Sequence, residues 1–419
     1  MKKLLSLAET LPVDAARALL VGRAWVPGER GGPTLVLLRE GVLHDVGALA
    51  PTMAALLERG DAVAALRAAP ARPLGELAGW LDDTLAHGPD PAQRHLLAPN
   101  DVQVVKAAGV TFAQSMVERV IEEQTRGDPS RAEAVRRQVV ALVGDDLAGV
   151  RPGSPQAEKL KALLLEQKLW SQYLEVGIGP YAEIFTKAPP MASLGTGVEI
   201  GLHAESTWNN PEPEIVLAVS PRAQVVGAAL GNDVNLRDFE GRSALLLGKA
   251  KDNNGSCAIG PFIRLFDEHF GIAEVRNAVV GLNVAGEDGF VLEGSSSMAR
   301  ISRDPLDLVA HAMGPHHQYP DGMMLFCGTM FAPIEDRDVP GGGFTHHLGD
   351  RVMVSSSRLG GLVNWVDHCD KVPLWTFGIG ALMNNLAARG LLPSRAGLSQ
   401  QGRAALQRRE AVSHQKGED

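Results

Sequence analysis

At 419 residues, with 45% hydrophobic and 21% charged side chains, the chain is long enough for more than one domain and has an ordinary globular composition. A net charge of −9 argues against nucleic acid or an anionic membrane surface as a partner, and no run reaches the ~18 apolar residues of a membrane span. The three cysteines, Cys257, Cys327 and Cys369, form neither a disulfide framework nor a zinc spacing, so buried thiols in a reducing cytoplasm are expected.

The apolar start after Lys2-Lys3 is broken by Glu9 and Asp14, too early for a signal peptide. The spacing predicts a strand over 19–26 and a hairpin of strands over 34–38 and 42–46 around Arg39-Glu40-Gly41. Short helices are expected over 53–57 and 62–66, after which Pro70 and Pro73 break the pattern. Residues 90–94 read as a linker, so 1–95 is expected to be a small N-terminal α+β domain used for packing.

A short strand over 102–105 leads to Gly109-Val110-Thr111-Phe112 and then a helix. Ser115, Glu118 and Glu122 on that helix share one face at i, i+3 and i+7, with Arg119 beside them. Further helices are expected over 130–143 and from the cap Ser154-Pro155 to about residue 170. Residues 112–170 therefore read as a helical lid, or as helices at a subunit interface. Phe185-Thr186-Lys187-Ala188-Pro189-Pro190 then presents Lys187 at a strand end.

The most specific stretch runs from Trp208 to Pro261. Trp208-Asn209-Asn210-Pro211-Glu212-Pro213-Glu214 leads into an apolar run over 215–219, a turn at Ser220-Pro221-Arg222-Ala223, and a second apolar run over 225–230. Strand side chains alternate, so Glu212 and Glu214 point to one side. A hairpin would bring Asp233, at the end of the second run, beside them. Three carboxylates that close repel one another, and a hard divalent cation, Mg²⁺ or Mn²⁺, is the economical counter-charge. The alternative is a strand end with solvated acids. Asn232-Asp233, Arg237-Asp238, Lys249, Lys251 and Ile259-Gly260-Pro261 follow.

A strand over 262–266 comes next, then a pair over 277–284 and 290–292 joined by Gly286-Glu287-Asp288-Gly289. His316-His317 and His346-His347 are not chelating pairs, because neighbouring strand residues face opposite ways. His317, just before Tyr319-Pro320-Asp321-Gly322, is close enough to that turn to reach a site, whereas His346 and His347 read as loop residues. Strands follow at 324–326, ending at Gly328-Thr329, and at 352–354 after Gly349-Asp350, with a hairpin to 364. Residues 391–419 read as a mobile tail with one helix over 402–412.

The ordered string Glu212-Pro213-Glu214, Asn232-Asp233, Arg237-Asp238, Lys251 and Ile259-Gly260-Pro261 resembles the fumarylacetoacetate hydrolase superfamily. The resemblance implies a β-rich α+β fold: a mixed β-sandwich roll with a helical lid as the catalytic domain, 96–390. It implies Glu212, Glu214 and Asp233 as metal ligands and Thr329 as a contact to a substrate carboxylate. Arg119, Lys187, Arg237, Lys249 and His317 become candidates for holding substrate. The C–C hydrolases of the family carry a histidine where this chain has Ser115, three residues before the position of Glu118. A hydroxyl cannot replace imidazole as a base without help, so the resemblance shifts to the family's sugar-acid dehydratase branch.

The expected reaction is dehydration of 2-keto-3-deoxy-D-pentonate, such as 2-keto-3-deoxy-D-xylonate, to 2,5-dioxopentanoate. Lys251, its pKa lowered beside a dication, is the expected base at C3, with Lys249 as its alternative. Glu118 is the expected acid at C4 or the group that orients the departing water. The competing readings are a hydrolase of a 2,4-diketo-3-deoxy sugar acid and a metabolite-binding protein. A small anionic keto-sugar acid is the expected partner, and a homodimer or larger homo-oligomer the expected assembly.

Overall fold

The computed structural model describes residues 4–70, 72–143, 150–166, 170–333, 335–340 and 343–392. The tail helix expected over 402–412 lies outside them. A short helix α1 (Leu7–Thr10), capped by the Ser6 hydroxyl, precedes strand β1 (Leu20–Val26). The expected hairpin is β2 (Gly32–Arg39) and β3 (Val42–Asp45), turning at Glu40 and Gly41, both with positive φ. Helices α2 (Met53–Glu58) and α3 (Ala62–Ala68) fall where short helices are expected.

Pro70 and Pro73 do not end the ordered N-terminal region. They lead into β4 (Arg72–Glu76), an edge strand of the kind that tolerates proline, and α4 (Leu77–His87). Leu77, Trp80, Leu81 and Thr84 form the buried stripe of α4 at helical spacing.

Strands β5 (His95–Leu97) and β6 (Val104–Gly109) follow; β6 starts and ends later than expected because its pairing partner sets its length. Helices α5 (Ala113–Thr125), α6 (Ala132–Val143), α7 (Pro155–Glu166) and α8 (Gln172–Ile178) come next. Met116, Val120 and Ile121 of α5, Leu164 of α7 and Tyr173 and Leu174 of α8 share a buried apolar cluster with Trp208.

Beyond the helices lie β7 (Glu183–Ala188), β8 (Glu199–Leu202), β9 (Asn209–Asn210), β10 (Pro213–Val219), β11 (Val225–Asp233) and β12 (Asn235–Leu236). Helices α9 (Arg237–Glu240) and α10 (Leu247–Lys251) precede the fully buried β13 (Cys257–Leu265). The chain closes with α11 (Ile272–Arg276), β14 (Val279–Ala285), β15 (Val291–Ser297), α12 (Pro305–Ala312), β16 (Met323–Phe326), β17 (Arg351–Ser356), β18 (Gly360–His368) and α13 (Ile379–Ala388).

Two sheets result. The larger has the order β4-β3-β2-β1-β13-β11-β10-β16-β6-β7, with β5 also paired to β1; the smaller runs β15-β14-β17-β18-β8. The expected boundary at residue 95 is not a boundary of the sheet. β1 pairs with β13, Leu20 opposite Arg264, so the N-terminal strands continue the sheet that carries the candidate acids.

Alternation fixes which side those acids occupy. Ile215, Leu217, Leu230, Val234 and Leu236 enter the core between the two sheets, with Val280, Leu282, Val352 and Val354 of the smaller one. Val216, Ala218 and Ala229 face the other way, into a second cluster with Leu35, Leu37, Met53 and Phe326. Glu214 and Asp233 share the parity of this second face. The Gly349-Asp350 entry to β17 is tied from behind: Arg337 reaches Asp350 with Nη1 to Oδ2 at 2.6 Å and Nη2 to Oδ1 at 2.8 Å, both side chains buried. His346 Nδ1 lies 3.1 Å from the same carboxylate, in a loop as expected.

Candidate active site

Antiparallel pairing of β10 and β11 places Glu214 opposite Gly231 and Pro213 opposite Asn232. Asp233 N–H donates to Glu212 O at 3.0 Å, and Glu212 N–H donates to Asn232 Oδ1 at 3.1 Å. The strand ends are thus locked, and Glu212, Glu214 and Asp233 each offer a buried carboxylate oxygen within 4.8 Å of the others. Glu214 accepts from Gly328 N at 2.7 Å and from Thr329 Oγ1 at 3.4 Å.

Cations surround the three acids. Lys251 Nζ is 2.5 Å from Glu212 Oε2 and 3.3 Å from Asp233 Oδ2. Arg119 bonds the other Glu212 oxygen, and its Nη1 reaches Glu122 at 2.6 Å and Glu240 at 2.9 Å. Arg237 bridges Glu122 (2.7 Å) and Glu118 (2.8 Å), its guanidinium stacked 4.2 Å from the Trp208 ring centroid. Helix α5 can approach α9 this closely because glycines face each other. A Cβ on Gly127, at φ +74°, would sit 2.5 Å from Asp238 O, and one on Gly241 would sit 2.8 Å from Glu122 O.

The candidate residues do not all converge. Lys187 lies wholly inside: Nζ is 2.7 Å from Asp233 Oδ1 and donates to Val234 O (3.1 Å) and to Lys251 O. Wholly inaccessible and held by this carboxylate and two backbone carbonyls, Lys187 positions Asp233 rather than meeting substrate. Lys249 is exposed, 2.8 Å from His203 Nε2 and over the Phe239 ring. His317 is exposed and packs its ring on Tyr319, 4.6 Å between centroids. Ser115 is buried one turn before Glu118, its hydroxyl donating to Phe112 O at 2.8 Å.

The proton affinities differ from two expectations. Burial lowers that of Lys251, but Asp233, Glu212 and Glu240 outweigh it, so the amine is held above its ordinary value in this charge environment. Burial raises Glu118, but Arg136 and Arg237 outweigh it. Arg136 grips the carboxylate with Nε and Nη2, both at 2.9 Å. A carboxyl kept ionised accepts hydrogen bonds and does not donate a proton, so the water-orienting role fits Glu118 and the acid role does not.

Glu214 is pushed well above the carboxylate range by burial and by Asp233 and Glu212, whereas Lys251 and Arg119 overcome burial to hold Glu212 down at about 2. Burial pushes Glu240 up to about 7 despite Arg119 and Lys251.

Four contributors are not among the site residues expected from sequence: Glu183, Glu240, Arg136 and Glu122, the last noted there only as sharing a helix face with Glu118. Glu183 is raised by burial and feels Arg119 and Lys251; it lies over Gly109, where a Cβ would meet its carboxylate at 1.9 Å. With it, seven carboxylates (Glu118, Glu122, Glu183, Glu212, Glu214, Asp233, Glu240) face five cations (Arg119, Arg136, Arg237, Lys187, Lys251). Fully ionised, the carboxylates would exceed the cations by two charges. The raised proton affinities of Glu214, Glu240 and Glu183 reflect that crowding, and the all-oxygen donor set of Glu212, Glu214 and Asp233 suits a hard divalent cation in place of the protons.

No family model matches the chain. Over 190 residues it is 28% identical to the 2-dehydro-3-deoxy-D-arabinonate dehydratase of Saccharolobus solfataricus, covering 45% of this chain and 60% of that protein. Over 201 residues it is 25% identical to a probable 2-keto-3-deoxyxylonate dehydratase of Haloferax volcanii, covering 48% and 65%. The matched stretch thus spans less than two thirds of either curated relative. Among solved structures, the apo form of 2-keto-3-deoxy-D-arabinonate dehydratase superposes with a TM-score of 0.58 at 19% identity, covering 84% of this chain and 99% of that one. The same dehydratase complexed with magnesium and 2,5-dioxopentanoate gives 0.54 at 19%, with the same coverage. A fumarylacetoacetate hydrolase from Exiguobacterium antarcticum gives 0.51 at 17%, covering 84% and 100%. The chain thus has the α+β fold shared by that fumarylacetoacetate hydrolase and the arabinonate dehydratase, and its sequence is related to those of two sugar-acid dehydratases.

Proposed function

We propose that the chain is a hydro-lyase that dehydrates a five-carbon 2-keto-3-deoxy sugar acid to 2,5-dioxopentanoate, with Mg²⁺ or Mn²⁺ at Glu212, Glu214 and Asp233. The observation that carries this reading is the buried three-carboxylate cluster faced by Lys251 and Arg119, in a chain related to two sugar-acid dehydratases. A divalent cation there supplies the charge that makes protons beside a keto group acidic, and it competes with Lys251 for the same oxygens.

The chain's own groups do the rest. Arg119 and the Thr329 hydroxyl hold the substrate's carboxylate end. Lys251, an ammonium while it faces Glu212 and Asp233, would give up its proton to solvent once a divalent cation takes those oxygens, and the free Nζ then takes a proton from C3. Glu240 protonates the C4 hydroxyl, which leaves as water while a C3=C4 double bond forms. Glu118, fixed by Arg136 and Arg237, accepts a hydrogen bond from that water. A C5 proton then moves to C3, which shifts the double bond to C4=C5, and transfer of the O5 proton to C4 turns that enol into the aldehyde. Ser115 disfavours the hydrolytic alternative, since no imidazole stands at that place to activate water. A homodimer or larger assembly is part of the proposal, supported by the edge strand β15, on which Val291 is exposed, and by the exposed Val279 on its neighbour β14.

The test is to supply 2-keto-3-deoxy-D-xylonate and, separately, a 2,4-diketo-3-deoxy acid, with Mg²⁺ or with EDTA, and to follow products by NMR. Metal-dependent formation of 2,5-dioxopentanoate supports the proposal. Pyruvate from the diketo acid, with the xylonate untouched, overturns it.

A further inference from the structure

Two asparagines next to the carboxylate cluster have no assigned part in it. In the small pair β9–β12, Asn210 stands opposite Asn235. Both are fully buried. Among the described residues neither amide atom of Asn235 has a hydrogen-bond partner, nor does Asn210 Oδ1; Asn210 Nδ2 donates to Pro211 O at 2.9 Å.

Their direction follows from the strands. Val234 and Leu236, on either side of Asn235, both enter the core between the sheets. Asn235 therefore faces the opposite way, with Asp233. Asn210, its cross-strand partner, lies on that same face, two residues before Glu212. Helix α10, which ends in Lys251, packs on β12. The amides thus border the site rather than the apolar core. Buried amides without partners are costly, and a strand could carry leucine here at no such cost.

The chemistry of an amide pair selects its ligand. A carboxylate or phosphate only accepts, and would set its charge against the two Oδ1 atoms. A cation would use the oxygens and leave Asn235 Nδ2 unmet. A hydroxyl both donates and accepts, and satisfies both kinds of atom at once. We infer that Asn210 and Asn235 form a hydroxyl-recognition subsite that selects 2-keto acids with a hydroxyl on the carbon beyond the leaving group. This rests on the proposed dehydration, whose substrate bears its leaving hydroxyl on C4 and a further one on C5.

The test compares 2-keto-3-deoxypentonate with 4-hydroxy-2-oxopentanoate, which keeps the keto acid and the leaving hydroxyl but lacks the one on C5. Native protein with Mg²⁺ should favour the first by at least about 100-fold in kcat/KM, since a site built to bond a hydroxyl rejects the analogue without it. Asn235→Ala should shrink that preference by about 10–100-fold. Asn235→Ser, which restores a donor and an acceptor, should recover part of it, and thermal melting verifies that both variants fold.

Equal losses on the two acids, or an unchanged preference, would overturn the subsite. Exchange of solvent deuterium into C3 of 2-oxobutyrate reports the proposed reaction separately. Native protein that exchanges and dehydrates but shows no preference sinks only the subsite. Protein that does neither sinks the proposed reaction, and the subsite falls with it.

Discussion

Lys187 and Asp233 form an ion pair sealed inside the protein, Nζ to Oδ1 at 2.7 Å, with the lysine side chain wholly inaccessible to solvent. The pair fixes one edge of the carboxylate cluster from behind. Lys187→Met leaves Asp233 buried with one cation fewer and should cost about 3–5 kcal/mol of stability. Urea unfolding followed by circular dichroism in EDTA measures this. A variant as stable as the native chain would show that the lysine is not needed to offset that charge.

Glu214→Gln should separate stability from metal binding. Without metal, burial and two neighbouring acids already raise the proton affinity of Glu214, so a neutral amide should fold at least as well. Millimolar Mg²⁺ should raise the melting temperature of the native chain by mass action and leave that of the variant unmoved. An equal rise in both would place the cation elsewhere.

Arg237→Lys keeps the charge but not the fork that bonds Glu118 and Glu122 or the plane that stacks on Trp208. We expect a loss of about 1–3 kcal/mol and a changed tryptophan emission. Unaltered emission together with native stability would speak against the stack as a structural element.

Glu240→Gln removes the proposed proton donor and leaves a side chain of the same size. The expected result is a fall of about 10²–10⁴ in kcat with KM little changed. A change confined to KM would make Glu240 a binding group only.

Asp350 carries the clearest dependence on pH away from the carboxylate cluster. Burial raises its pKa, but Arg337 and His346 overcome this, so the folded-state pKa lies below the ordinary 3.8. A depressed carboxyl contributes stability that is present above the unfolded pKa and lost as pH falls through the folded one. Asp350→Asn should therefore cost about 1–3 kcal/mol at neutral pH, where Arg337 loses its shortest charged contacts and keeps the Asp288 carboxylate at 3.1 Å. The gap to the native chain should narrow as pH drops below 3.8. Urea midpoints at pH 7, 5, 4 and 3 decide it, and a gap that widens in acid would contradict the pairing.

Glu212, Glu214 and Asp233 are legible in the sequence because period-two alternation and a short hairpin are local rules, and three close acids need a counter-charge. Glu183 is not legible by that route: its nearness depends on β7 pairing with β6 and passing over Gly109. A signal does exist, since Glu183, Phe185 and Lys187 alternate on one strand, and Lys187 is already a candidate. The N-terminal strands are legible as strands, but their attachment through β1 and β13 joins distant parts of the chain, and no spacing encodes it. The roles of Lys251 and Glu118 are harder still. Their proton affinities depend on how many charges surround them, and Arg136 reaches Glu118 from a different helix.

The contacts between α5 and α9 have a consequence for redesign. Glu118 and Glu122 read Arg237, and Arg119 reads Glu240, so the two helices work as lock and key across more than a hundred residues of sequence. An engineer who grafts α5 from a relative, for instance to install a histidine at position 115, imports half of a charge code. The graft should be made with α9 as its passenger, because the two helices form one heritable cassette.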